Sequence, residues 1–216
     1  MTRMTSNVTN YRIIVFAKAP IAGEVKTRLL SSMDAQTVTA LYKQLVLHSL
    51  NTAVGSQVGS VELWGAPSIE HPFFLRCAEK FSVELHQQTE GDLGKRMAHA
   101  FGETLKKAPM ALLIGSDCPS LTRDDLKEAK KILDQGSQAV IAPAEDGGYV
   151  LFGLRQFEPT LFEGISWGTS SVMEETRQHL RQLGWSWQEL RQRWDVDRPE
   201  DVERLRREGY GHLTPF

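Results

Sequence analysis

The sequence offers little to a thiolate metal site, a membrane or a nucleic acid. Only two cysteines, Cys77 and Cys118, occur among 216 residues, in unlike surroundings and with no paired spacing. That argues against a cysteine metal cluster or a disulfide framework. Acids and bases nearly cancel, 27 against 25, for a net charge of −2. No broad basic field exists for nucleic acid or an anionic membrane, so any anion site must be made locally. The opening stretch "MTRMTSNVTN" has no apolar run fit for a signal peptide or a membrane span. The chain also lacks G-x-G-x-x-G. Val25 stands where a Walker A loop needs glycine before Lys26-Thr27. Internal repeats, low-complexity tracts and a dividing linker are missing too.

What remains is ordinary globular composition, 41% hydrophobic and 24% charged, at a length suited to one large domain. The expected organisation is a disordered tail over residues 1–10 and a single domain over 11–216. The expected setting is the cytoplasm, with both thiols reduced. Oligomeric state is not legible.

Short β-branched runs alternate with amphipathic segments. "RIIVF", "SVELWGA", "SVELHQQ", "ALLIGSD" and "AVIAP" read as strands. Helices are expected after Asp34, over "FFLRCAEKF" and "LGKRMAHAFGETLKKA", from Thr122 to Gly136, over "SVMEETRQHLRQLG", and from Pro199. The alternation predicts a doubly wound, mostly parallel α/β sheet. "VLFGL", so soon after "VIAPA", predicts one mixed or antiparallel element. The stretch "SWQELRQRWDVD" has no clear assignment.

Ligands of such sheets gather beyond the carboxyl ends of strands, and the unusual residues cluster there. "FAKAPIAGEVKTRLL" follows the first strand with a turn through Pro20 and Gly23 and three cations, Lys18, Lys26 and Arg28. It suits an anion clamp, Arg28 bidentate and the lysines as point charges. An ordinary βα turn with solvated basic residues explains it equally. Asp117 in "IGSDCPSL" sits past a strand end, where a carboxylate can hold Mg²⁺ or Mn²⁺ or merely shape an Asx turn. In "APAEDGGYVLFGL", Gly147-Gly148 permits close backbone approach, with Asp146 at the mouth of the bend; an Asp-Gly hairpin turn is the alternative. "QQTEGDLGKRM", with Gln88 and Asp92, opens a helix and either lines a base or sugar pocket or only shapes the turn. "WDVDRPEDV" offers Asp195 and Asp197 just before a helix; capping that helix is the plain alternative role for Asp197. Trp167-Gly168-Thr169 is a candidate border of an acceptor pocket.

These blocks, in this order from Phe16 to Val202, resemble the nucleotide-diphospho-sugar transferase superfamily with its glycosyltransferase A fold. The chain is most similar to the family called rSAM/selenodomain-associated transferase 1, also described as a glycosyltransferase of arsenosugar biosynthesis. More distantly, the layout resembles sugar-1-phosphate nucleotidylyltransferases and the cytidylyltransferase that activates Kdo. The resemblance implies a metal, Mg²⁺ or Mn²⁺, held by Asp117 and by Asp197 in preference to Asp195. It implies phosphate and nucleotide contacts from Lys18, Gly23, Lys26, Arg28, Gln88 and Asp92. Asp146 would position or deprotonate an acceptor hydroxyl, in a pocket including Gly147, Gly148 and Trp167. The first loop departs from the nucleotidylyltransferases: it has fewer glycines, and "RLLSSMDAQ" lacks their Pro-Lys. That favours a nucleoside diphosphate sugar as donor, with a small-molecule acceptor. Nucleotidyl transfer from a triphosphate, or non-catalytic nucleotide binding, are the alternatives.

Overall fold

The computed structural model describes residues 11–215; the expected tail, residues 1–10, lies outside them. The strands are β1 (Arg12–Lys18), β2 (Ser60–Ala66), β3 (Glu84–Gln87), β4 (Ala111–Ile114), β5 (Ala139–Pro143), β6 (Tyr149–Leu154) and β7 (Trp187–Glu189). They form one seven-stranded sheet in the order β3-β2-β1-β4-β6-β5-β7. All neighbours run parallel except β6, which is antiparallel to both β4 and β5. That is the irregular element expected from the closeness of "VIAPA" and "VLFGL". The polar edge strand β7 falls in the stretch that had no assignment. Three residues with little apolar content carry no period to detect.

The helices are α1 (Ala35–Gly55), α2 (Pro72–Phe81), α3 (Leu93–Leu105), α4 (Arg123–Asp134), α5 (Val172–Gln182) and α6 (Pro199–Arg207). Side chains alternate across each strand, so successive residues feed opposite layers. Ile13, Val15, Leu112 and Val140 pack with Val46 and Leu50 of α1, Phe74 of α2 and Leu133 of α4. Ile14, Phe16, Leu113 and Ile141 pack with Met97 and Phe101 of α3 and Leu180 of α5. Covered on both faces, the strands read as continuous apolar runs rather than alternating ones. None of the described helices is long and apolar enough to cross a membrane. Both cysteines are buried and unbridged.

The local signals act as expected. Asp34 accepts from the amides of Gln36 and Thr37. Thr122 and Asp125 close a reciprocal capping box at α4. At α6, however, Asp201 accepts from the amides of Asp197 and Arg198. Asp197 is therefore not the cap, and its carboxylate is available for another use.

A second role of Asp125 positions the last loop. Its carboxylate is paired with the Arg193 guanidinium, both nearly buried, while the Arg193 amide donates to the Pro143 carbonyl. This anchors the chain just before Asp195. Asp125→Ala leaves Arg193 buried without its partner and is expected to destabilise the protein by roughly 3–5 kcal/mol, more than the ~1 kcal/mol of a lost cap. Urea unfolding measures it. A loss no larger than that of Thr122→Ala would mean the pair does not anchor the loop.

Candidate functional site

In this sheet β1 lies between β2 and β4, so the strand order reverses at β1 and β4. Crevices form at such switch points. The loop after β1 and the turn after β4 flank a cleft of about 640 Å³. Of the residues picked from sequence, Lys18, Lys26, Arg28, Gln88, Asp117, Asp146, Gly148, Trp167 and Asp197 all line it, and Asp195 joins them.

A seam of hydrogen bonds brings carboxylates distant in sequence together. The Val196 amide donates to the Asp117 carbonyl at 2.9 Å. Cys118 Sγ and Ser120 Oγ both donate to the Trp194 carbonyl, at 3.1 and 2.9 Å. The Trp194–Asp197 segment is thus fastened along the turn after β4, with Asp195 and Asp197 beside Asp117.

The cations answer these carboxylates. Lys26 Nζ is 2.7 Å from Asp117 Oδ2 and 3.7 Å from Asp197 Oδ1, with its side chain only 8% exposed. Burial alone would depress its pKa, but Asp117, then Asp195 and Asp197, outweigh burial and raise it. The ammonium stays charged. Its backbone is left-handed, φ 46°, a conformation that costs a non-glycine residue on the order of 1 kcal/mol. Arg28 pairs with Asp197, and its own pKa is raised by that hydrogen bond. Lys18, at the end of β1, is exposed, and its backbone amide donates to Tyr42 Oη at 2.8 Å. Its side chain makes no ion pair among the described residues.

Asp195, set behind Asp197 in the sequence analysis, has the most perturbed setting of the three aspartates. Burial, then the neighbouring Asp117, push its carboxyl up to about 7, against the pull of Lys26, with Asp146 adding to the repulsion. Buried like charges without a full counter-ion are what a divalent cation relieves. Nothing local in "WDVDRP" ranks one aspartate over the other.

Gln88 is 7% exposed. Its Nε2 donates to the carbonyls of Ala17 (3.2 Å) and Trp64 (2.7 Å). Those bonds occupy the amide donors and leave its oxygen, an acceptor, for the cleft. Asp146 is exposed. Its Oδ1 accepts from the Gly148 amide at 2.9 Å, so the turn and the cleft share this side chain. Three expected contact residues do not line the cleft. Asp92 instead caps α3 by accepting from the Lys95 amide. Gly23, at φ +84°, supplies the loop with a conformation side chains resist. Gly147 is needed because a Cβ there would collide with the Ser170 carbonyl.

Outside the cleft lining, Glu62, Glu84 and His86 bring their ligating atoms within 4.8 Å of one another. The Arg12 guanidinium already lies against both carboxylates, and His86 stacks on Trp64 at 4.8 Å.

The architecture is that of the nucleotide-diphospho-sugar transferases. The chain is 29% identical to a provisionally assigned nucleotide-diphospho-sugar transferase of Desulfovibrio desulfuricans G20, over 87% of this chain and 82% of that one, with a TM-score of 0.79. It shares its fold with CMP:2-keto-3-deoxy-manno-octonic acid synthetase complexed with CTP (10% identity, 94% and 99% covered, TM-score 0.60). It shares it also with glucosyl-3-phosphoglycerate synthase of Mycobacterium tuberculosis in complex with Mn²⁺ and UDP (10% identity, 95% and 78% covered, TM-score 0.54). The chain belongs to the family described as "Uncharacterized protein conserved in bacteria (DUF2064)", whose model matches residues 49–169. A comparison with curated proteins gives no match.

The setting of Asp195 has a measurable consequence. Its folded pKa, about 7, lies above the ordinary aspartate value of 3.8. Between those values the folded protein holds a proton that the unfolded chain has lost, so this group's contribution to stability falls as pH rises and stays low above pH ~7. Asp195→Asn cannot ionise. In metal-free buffer it is expected to raise the melting temperature at pH 8 by more than at pH 5. An equal shift at both would contradict the proposed setting.

Proposed function

We propose that this protein is a transferase acting on a nucleotide-linked sugar: it moves the sugar from a nucleoside diphosphate sugar to a small-molecule acceptor, with a divalent metal. The observation that carries the reading is the cluster of Asp117, Asp195 and Asp197 around the buried Lys26 ammonium, at the switch point of this fold. The resemblance of its sequence blocks to rSAM/selenodomain-associated transferase 1 supports the same reading. So do the CTP, UDP and Mn²⁺ bound by proteins that share its fold.

The donor set fits a hard cation. It is all carboxylate oxygen, and one positive charge already rests between Asp117 and Asp197. Asp117, Asp195 and Asp197 would hold Mg²⁺ or Mn²⁺. Bound there, the metal would offset negative charge on the leaving diphosphate. The chain supplies the rest. Lys18 and Arg28 place cations at the cleft for phosphates. Gln88 presents an acceptor to a base edge carrying a donor. Asp146 accepts a hydrogen bond, or a proton, from the acceptor hydroxyl. Departure of the nucleoside diphosphate and transfer of the sugar to that hydroxyl balance the reaction. The first loop, with fewer glycines than in the nucleotidylyltransferases it resembles, supports a diphosphate donor. The cytoplasm, with both thiols reduced, is the proposed setting.

Incubation with Mn²⁺ or Mg²⁺, a panel of sugar nucleotides and candidate acceptors is expected to release nucleoside diphosphate. Pyrophosphate release from a nucleoside triphosphate would replace this reading with nucleotidyl transfer; tight binding without turnover of either would leave a nucleotide-binding protein. Asp117→Ala is expected to weaken metal-dependent nucleotide binding by at least about tenfold, ~1.4 kcal/mol. Calorimetry in the presence and absence of Mn²⁺ measures this, and unchanged affinity would remove Asp117 from the metal site.

A further inference from the structure

The charges in the cleft are distributed unevenly. Lys26 and Arg28 are committed to carboxylates, but Arg96, on the first turns of α3, is not. Its Nε donates to the Gly91 carbonyl at 3.0 Å, and the guanidinium makes no ion pair among the described residues. It is half-buried and lines the cleft beside Leu93 and Met97.

The surroundings of Arg96 form a wall of their own. A Cβ at Gly94 would collide with Trp167 Nε1 and the Phe162 carbonyl, so the indole lies directly against the first turn of α3. Tyr149 meets Trp167 edge-on, with ring centroids 6.4 Å apart. The Met173 amide donates to the Gly147 carbonyl at 2.9 Å, which fastens the Asp146 bend to the helix that follows Trp167. Arg96, Trp167, Tyr149 and Asp146 all line the cleft, and these contacts join them into one wall of it.

We infer that this wall is the acceptor subsite and that the acceptor carries an anionic group, a carboxylate or a phosphate, received by Arg96. The inference rests on the transferase reading and adds a substrate class to it. With Nε tied to a backbone carbonyl, the guanidinium keeps its terminal nitrogens for a ligand, and their planar fork matches both anions. A half-buried cation in a cleft with four aspartates, left without one of them as partner, is accounted for by an anion that arrives with the substrate. The aromatic wall contacts the body of that molecule, and its hydroxyl reaches Asp146.

The test uses three probes of similar size: glycerol, glycerate and glycerol phosphate. Binding of UDP, GDP, ADP and CDP with Mn²⁺ is measured first by calorimetry. The probes are then titrated into the protein saturated with a diphosphate that binds. At least one anionic probe is expected to bind about tenfold or more tightly than glycerol; which one does so separates a carboxylate acceptor from a phosphate acceptor. Arg96→Gln should abolish that advantage while leaving diphosphate affinity unchanged, and Arg96→Lys should retain part of it. Equal binding of all three probes by the native protein would overturn the inference. So would an anion preference that survives Arg96→Gln, or a loss of diphosphate affinity in that variant. If no diphosphate binds, the transferase reading fails by itself; titration of the free protein and of Arg96→Gln then decides the Arg96 site separately.

Discussion

Everything in the cleft depends on the need to balance negative charge drawn together in a partly buried space. Asp117, Asp195 and Asp197 come from two segments fastened by the Val196–Asp117 backbone hydrogen bond, and their mutual repulsion opposes that seam. The Lys26 ammonium is the chain's own answer. It is held in a left-handed backbone conformation to reach them. Lys26, with Arg28 on Asp197, does not neutralise all three, and Asp195 keeps a raised proton affinity, first from burial and then from Asp117.

The fold creates this problem because it brings chain segments together at a fixed point. The strand order reverses beside β1, so the loop after β1 and the turn after β4 meet over one crevice. The antiparallel β6 returns the chain through the Asp146 bend to the same place. The Asp125–Arg193 pair and the Trp194 seam then deliver the last loop. From Trp194 on, anchors and chemical groups alternate: Trp194 and Val196 are buried, while Asp195 and Asp197 line the cleft. That alternation is the ordinary two-residue period of extended chain.

Much of this was legible beforehand. Strand and helix positions followed from apolar period and capping chemistry, which are local, so Asp34, Thr122 and Pro199 marked helix starts correctly. The antiparallel β6 was legible from the short distance between two apolar runs. The edge strand β7 was not, because its pairing with β5 owes nothing to its own composition. Asp197 was a plausible cap by position, yet Arg198 occupies the cap position and Asp201 reaches back to its amide. Asp92 was a plausible ligand by motif, yet it caps α3 and does not line the cleft.

The sequence by itself determined the doubly wound sheet and the loops that carry the polar groups, since periodicity and turn chemistry act over a few neighbouring residues. Only the tertiary structure decided which aspartates share a charge environment, that Lys26 and not Lys18 is buried among them, and that Arg96 faces the cleft without a carboxylate. Those facts arise between residues far apart in the chain. Electrostatics in a cleft depends on distance and burial, and neither is written in the spacing of letters.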